Sequence, residues 1–295
     1  MKLDYLVLDV FTRVRLSGNP LAVVLRADGL LDDQMQRIAA EFNLSETVFV
    51  TRPRAERHAA ALRIFTPRVE LPFAGHPTIG AAVAIGLDGK ASVLRLEEQV
   101  GVVTAVIERV DRRAGHARFA LPQLPEMAGK PPDRLRAALA LGIEPEAIGC
   151  GRHRLSVYSA GSLFYLVPVR DSLVLRRLQP NAAAWAEAFP LGRHNVYIYT
   201  PTPEAADADF AARKFALGLG LEEDPATGAA AAALIGELAA DAGDGLTEYR
   251  LRQGVEMGRP SLIELQLRKD GEVLTHGSIG GHAVVVGQGT LDLGD

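Results

Sequence analysis

Cysteine is almost absent from this sequence of 295 residues, with Cys150 the only one. A single thiol excludes an internal disulfide and fits a reducing cytoplasm. Long apolar runs are missing as well. No stretch approaches the ~18 unbroken apolar residues of a membrane-spanning helix, so no membrane partner is expected. The opening MKLDYLVLDV carries charge inside its apolar run and does not read as a signal peptide. There is no excess of positive charge. The 32 Lys and Arg stand against 36 Asp and Glu, for a net charge of −4 and a pI near 6.0. That excludes the basic footprint of a nucleic-acid binder. P-loop, HExxH and GxSxG motifs are all absent. The seven histidines show no metal-ligand spacing, so no metal is expected. The GSIGG cluster near the C-terminus lacks the spacing of a dinucleotide fingerprint.

What is present is one pattern written twice. In the first half, apolar runs at 5–11 and 21–25 flank SGNP, which has turn composition, and predict strand, turn, strand. In LDDQMQRIAAEF, Met35, Ile38, Ala39 and Phe42 fall at helical spacing, with Asp32 or Asp33 able to cap the start. ETVFV and LRIF read as strands. PFAGHPTIGAAVAIG then reads as a turn followed by a small-residue helix. The second half repeats the order: FYLVPV as a strand, NAAAWAEAF as a helix capped by Asn181, NVYIYT as a strand, and DPATGAAAAALIGELAA as a turn and a small-residue helix. HPTIGAAVA set against DPATGAAAA aligns Pro, Gly and three Ala, and pairs His76 with Asp224. Glu46 pairs with Asn195. A shared period over four elements implies an internal duplication.

The expected fold class is therefore α+β, in two pseudo-symmetric domains. The expected borders are 1–120 for the first domain, 121–282 for the second, and 283–295 for a segment packing back on the first. The linker falls in the proline-rich LPQLPEMAGKPP. The two Ala-rich helices are apolar on nearly all sides, so each should be buried by its own sheet.

Pro77 and Pro225 read as marks of two helix N-termini, because proline suits the first helical turn. Gly80 and Gly228 should leave the surface there open. A helix N-terminus offers N–H groups and a partial positive charge, which suits a carboxylate. If a pseudo-twofold axis relates the domains, the two starts would face each other across a cleft, with His76 and Asp224 beside a small anion. Alone, Asp224 reads as an N-cap and His76 as a turn residue. Their pairing within the duplication favours the functional reading. Glu46, in NLSETVFV, is the third candidate, against a plain carboxylate in water. Its partner Asn195 carries no proton to exchange, which suits a site where one half supplies the proton carrier.

These residues resemble the PhzF family of phenazine-biosynthesis enzymes, within the diaminopimelate-epimerase-like fold. The matching segments are DVFT, SGNPLAVV, NLSETVFV, ELPFAGHPTIGAA, DPATGAA, QGVEMGRPS and IGGHAVVVGQG, spread over most of the chain. The resemblance implies two domains, each a curved mixed β-sheet wrapped around a central helix, and a homodimer. It implies a small carboxylate substrate between the domains and no cofactor. In the family's isomerisation, the glutamate of NLSET moves a proton between carbons of a cyclic dihydro-hydroxy amino acid. That role falls on Glu46, with His76 and Asp224 as its catalytic companions. Asn19, Gly75, Gly228 and Ala229 fall near the substrate. Ala229 stands where the family often has serine, which removes a hydroxyl able to bind substrate. The chain has GHPT where GHAT is common. The epimerases of this fold use a cysteine pair, whereas Cys150 lies outside both helix starts.

The resulting expectation is an isomerase that works by acid/base proton transfer. Two other readings of the same residues stand beside it. One is an epimerase or racemase with Glu46 and His76 or Asp224 on opposite faces of the substrate. The other is a non-catalytic binder of small carboxylates.

Overall fold

The computed structural model describes residues 1–89, 91–191, 195–202, 207–217 and 223–294. The chain divides into two compact units, one of 1–122 with 280–295 and one of 123–279.

The first unit runs β1 (Lys2–Val10), β2 (Asn19–Val24), α1 (Asp32–Phe42), β3 (Glu46–Thr51), β4 (Ala60–Phe65), β5 (Glu70–Leu71), α2 (Gly75–Asp88), β6 (Val93–Glu98), β7 (Gly101–Arg109) and β8 (Ala114–Ala120). The second runs β9 (Glu126–Met127), α3 (Arg134–Leu141), β10 (Ser156–Ser159), β11 (Leu163–Pro168), α4 (Ser172–Arg177), α5 (Ala182–Ala188), β12 (Val196–Pro201), β13 (Phe210–Phe215), β14 (Glu223–Asp224), α6 (Gly228–Leu238), β15 (Gly245–Gln253) and β16 (Ser261–Asp270). A last long strand, β17 (Val273–Asp292), begins in the second unit and returns to the first, where Ala283–Asp292 pairs antiparallel with β1. No helix of the described residues is long and apolar enough to cross a membrane.

The duplication is visible in the strand pairing. In the first unit β1–β2 is antiparallel, β2–β3 parallel, β3–β4 and β4–β5 antiparallel, β4–β6 parallel and β6–β7 antiparallel. In the second unit β10–β11, β11–β12, β12–β13, β13–β14, β13–β15 and β15–β16 repeat that series of directions. Each sheet is mixed, and each holds one small-residue helix. Gly75 to Ala84 of α2 are all buried, as are Gly228 and Ala230 to Ile235 of α6. Burial on all sides is what their uniformly apolar composition dictates. Close packing needs the small residues. A Cβ on Gly80 would lie 2.4 Å from Leu21 and 2.9 Å from Val10. Gly80 thus presses against the sheet and leaves no open surface, contrary to the sequence expectation.

Each unit has a second apolar layer. In the first, α1 brings Met35, Ile38 and Ala39 onto Val24, Phe49 and Phe65. Asp32 and Asp33 sit in its first turn but do not cap it. Leu31 is the N-cap, and its N–H donates to the Gln34 side chain at 2.9 Å. In the second, α5 starts on Asn181 as the sequence predicts, with its side chain accepting from Ala183 N–H at 3.1 Å. It carries Trp185, which is buried with its ring 4.9 Å from that of Phe189 and 6.3 Å from that of Phe215. Trp185→Ala is expected to lower stability by about 3–5 kcal/mol, read as a fall in the urea midpoint with no change in slope.

Candidate active site

The first unit gathers Asn19, Glu46 and His76 from three elements. Asn19 opens β2 and is fully buried. Glu46 opens β3, directly after α1 ends on Asn43 in the left-handed conformation, and pairs with Leu21 of β2 in parallel register. His76 is the second residue of α2, next to the buried Gly75. The Asn19 amide Nδ2 donates to His76 Nδ1 at 3.4 Å, and His76 Nε2 lies 3.4 Å from Glu46 Oε2.

These contacts assign the proton on the ring. Nδ1 faces a donor and so accepts, which leaves the hydrogen on Nε2, the ring nitrogen nearer the Glu46 carboxyl group, although Nε2 makes no hydrogen bond to it. Burial pushes the His76 imidazole down to about 3. At neutral pH the imidazole is therefore uncharged, with Nε2 on the side of the Glu46 carboxyl group. At 3.4 Å the contact is looser than a normal hydrogen bond.

The loop before Asn19 is held by a residue that sequence reasoning missed. Asp9, buried at the end of β1, accepts the Leu16 N–H at 2.6 Å. Phe11, Leu16 and Gly18 in this loop all have positive φ. Strain of this kind is kept only where surrounding structure over-determines it. The DVFT and SGNP segments carry the signal, but as turn composition rather than as a buried carboxylate.

In the second unit Asp224 lies on the short strand β14 and is buried. It is not the N-cap of α6. Thr227 is, and its hydroxyl donates to Asp224 Oδ2 at 2.5 Å. Gly228 is the first helical residue and is buried, while Ala229 is half-buried. Neither proline opens a helix at its first position. Pro77 is the third residue of α2, and Pro225 precedes the cap of α6.

A second residue missed from sequence is Gln253, in the QGVEMGRPS segment. It is 1% exposed, and its amide is fully used. Nε2 donates to the Asp224 carbonyl at 2.7 Å and to Thr227 Oγ1 at 3.1 Å. Oε1 accepts from Tyr197 O–H at 2.9 Å and from Thr227 N–H at 3.1 Å. Two donors and two lone pairs are satisfied at once, which fixes the turn ahead of α6.

Strand register corrects the pairing of His76 with Asp224. Phe65 and Phe215 are equivalent, since they oppose Thr47 and Val196 on equivalent strands. That keeps Glu46 opposite Asn195. In the first unit Glu70 faces Phe65 and Leu71 faces Ile64. In the second Glu223 faces Phe215 and Asp224 faces Lys214. Leu71 is thus the counterpart of Asp224, and Gly75 that of Gly228, so His76 corresponds to Ala229.

The Cys150 thiol is half-buried, and burial, with the charge of Glu237, pushes it up to about 11. It carries no thiolate at neutral pH and belongs to the second unit, whereas the Glu46–His76 pair belongs to the first.

Comparison with known proteins places these residues in a family context. The family described as phenazine biosynthesis-like protein matches residues 8–289. An uncharacterised isomerase of Mesorhizobium japonicum is 43% identical over 98% of this chain and 98% of its own. The trans-2,3-dihydro-3-hydroxyanthranilate isomerase of Pseudomonas fluorescens is 36% identical over 98% of this chain and 99% of its own. Among solved structures, a PhzF-family phenazine biosynthesis protein of Bacillus anthracis superposes with a TM-score of 0.89, at 24% identity, over 99% of this chain and 100% of the other.

Proposed function

Since the chain belongs to the PhzC-PhzF phenazine biosynthesis-like family, we propose that this isomerase moves a proton between two carbons of a small unsaturated amino acid, using Glu46 as the base and then the acid. The observation that carries the reading is the Glu46–His76 pair, a carboxyl group 3.4 Å from the ring of a buried, uncharged imidazole.

The chemistry follows from that pair. Glu46 takes a proton from a carbon activated by the substrate's unsaturation and carboxylate. The C–H electron pair spreads into the conjugated system. The protonated Glu46 then delivers the same proton to a second carbon, so no redox partner is needed. The His76 N–H orients Glu46 and follows the proton. The N-terminal end of α2 favours the negative charge that grows on the substrate. A positioned acid/base of this kind supplies about a hundredfold to ten-thousandfold in rate.

The substrate class follows the Pseudomonas fluorescens relative, a trans-2,3-dihydro-3-hydroxyanthranilate isomerase. A cyclic dihydro-hydroxy amino acid of that kind is the first compound to test, followed by simpler unsaturated amino acids. A shift of the double bond on one of them, seen by NMR, is the expected result. Binding without any shift across the series would favour the binder reading. Change of configuration at carbon without a double-bond shift would favour an epimerase.

Asp224 is proposed to act on the same substrate. Asp224→Asn is expected to cut turnover by about tenfold or more while the protein stays folded, since an amide can still accept the Thr227 hydroxyl. Unchanged turnover would remove Asp224 from the reaction.

A further inference from the structure

One buried acid is not used by this mechanism. Glu98 ends β6 and faces inward with Leu94 and Leu96. Its Oε1 lies 2.8 Å from Thr78 Oγ1 on α2, two residues beyond His76. Its Oε2 makes no hydrogen bond among the described residues.

Counting hydrogens at Thr78 is informative. Thr78 Oγ1 lies 2.8 Å from the Ala74 carbonyl and 2.8 Å from Glu98 Oε1. The hydroxyl has one hydrogen to give. A carbonyl can only accept, so the hydroxyl hydrogen goes to Ala74. The second short contact then needs a hydrogen from Glu98, which a carboxylate lacks and a carboxylic acid has.

The duplication supplies an independent comparison. Ala60 opposes Leu96 and Ala61 opposes Glu97 in the first unit. Phe210 opposes Leu251, Ala211 opposes Arg252 and Ala212 opposes Gln253 in the second. Because Phe65 and Phe215 are equivalent, Glu98 is the counterpart of Gln253. Ala74 and Thr227 are likewise equivalent, and each is the N-cap of its helix. Gln253 donates one amide hydrogen to the hydroxyl of its cap, Thr227, and the other to the Asp224 carbonyl. At the matching place the first unit has Glu98, reaching its cap through Thr78.

We propose that Glu98 is a positioning residue: a carboxylic acid kept neutral, which donates to Thr78 and so holds the start of α2, and with it His76, against Glu46. The positioning role rests on the function proposed above, whereas the protonation of Glu98 does not.

Its surroundings agree. Burial, the largest influence on it, pushes the Glu98 carboxyl up to about 8. On the face it shares with α2, the neighbouring strands bring Leu62 and Ile64 from β4 and Val103 from β7. The titratable residue nearest Thr78 along α2 is His76, two residues away and neutral. Arg63 of β4 is bound to Glu70 and Asp32. Glu97 of its own strand is turned to the other face, bound by the N–H groups of Arg54 and Ala55 and by His58.

The test uses the full chain with isotope-labelled glutamate, followed by NMR from acid to alkaline pH. The expected result is one carboxyl that titrates near 8 and is missing from Glu98→Gln. Its titration is expected to shift the His76 ring signals. Stability gives a second readout. Between about 4.5 and about 8 the folded protein holds a proton that the unfolded chain has released. Wild type should therefore lose stability relative to Glu98→Gln as pH rises through that range. With a substrate in hand, wild-type turnover should fall as pH rises past about 8; Glu98→Gln should keep turnover within about threefold and lack that fall, whereas Glu98→Met should lose about tenfold or more. A Glu98 carboxyl titrating with the ordinary carboxylates overturns the proposal, whether or not a substrate is known. So does a Glu98→Gln variant as impaired as Glu98→Met.

Discussion

Glu46→Gln is expected to fold and bind ligand as wild type does, and to lower turnover by about a hundredfold to ten-thousandfold. The amide keeps the shape of the side chain and an oxygen to accept from His76 Nε2, 3.4 Å away in the parent. It cannot take a proton from carbon at neutral pH. Loss should therefore fall on kcat, with KM little changed, the pattern of an interaction needed in the transition state alone. Glu46→Asp separates reach from charge. It keeps the carboxylate but withdraws it by one methylene, so it should recover part of the activity and no more. A fall confined to KM would mean that Glu46 only binds.

A large loss of both stability and turnover is expected from Gly254→Ala. Gly254 follows Gln253 and has φ +77. That region costs an L-residue roughly 1–2 kcal/mol. Space is a second obstacle. An added Cβ would lie 2.5 Å from the carbonyl oxygen of Arg259 and 2.5 Å from that of Pro225. Both are backbone atoms, and the Arg259 N–H donates to Gly254 O at 2.9 Å, so neither can yield without moving the turn. The Pro225 carbonyl also accepts from Ser261 Oγ at 3.0 Å. The combined cost should reach about 3 kcal/mol or more, seen as a lower urea midpoint. The same displacement would move Pro225 and, beside it, Asp224. Turnover should fall even in the fraction that remains folded. A Gly254→Ala protein as stable as wild type would contradict the packing described for the turn ahead of α6.

Most of the architecture was legible in the sequence, because a duplication leaves a period that does not depend on any one motif. Phe65 and Phe215, the capped helix at Asn181 and the two small-residue helices all fell where the pattern put them. The register of the helix starts did not. Alanine-rich helices match one another at several offsets, and the Pro and Gly common to HPTIG and DPATG favour one of them. The strands decide otherwise. The step from Phe65 to Glu70 is five residues and the step from Phe215 to Glu223 is eight, so the second unit carries three extra residues just before its helix. That insertion is what makes Leu71, rather than His76, the counterpart of Asp224.

The candidate site was legible in part, and for chemical reasons. Glu46 and His76 stood out because a carboxylate and an imidazole beside turns and helix starts are suited to chemistry, whereas Asn19 was marked only by the family resemblance of its SGNP segment. Glu98 and Gln253 did not. Each is a polar residue at the end of an alternating strand, a pattern that elsewhere marks solvent exposure. Only the topology turns Glu98 and Gln253 inward, and only their partners show that each holds a helix start. Asp9 escaped for the same reason, since its burial depends on the loop it holds rather than on its neighbours in sequence.

The measurement that bears most directly on the central claim follows hydrogen exchange at carbon. A cyclic dihydro-hydroxy amino acid would be incubated in deuterated water with wild type and with Glu46→Gln, and its ring protons followed by NMR. Deuterium entry or migration of the double bond with wild type, and neither with Glu46→Gln, is the predicted result. Equal exchange with both proteins would contradict the account, because the proton would then be moving through a group other than Glu46.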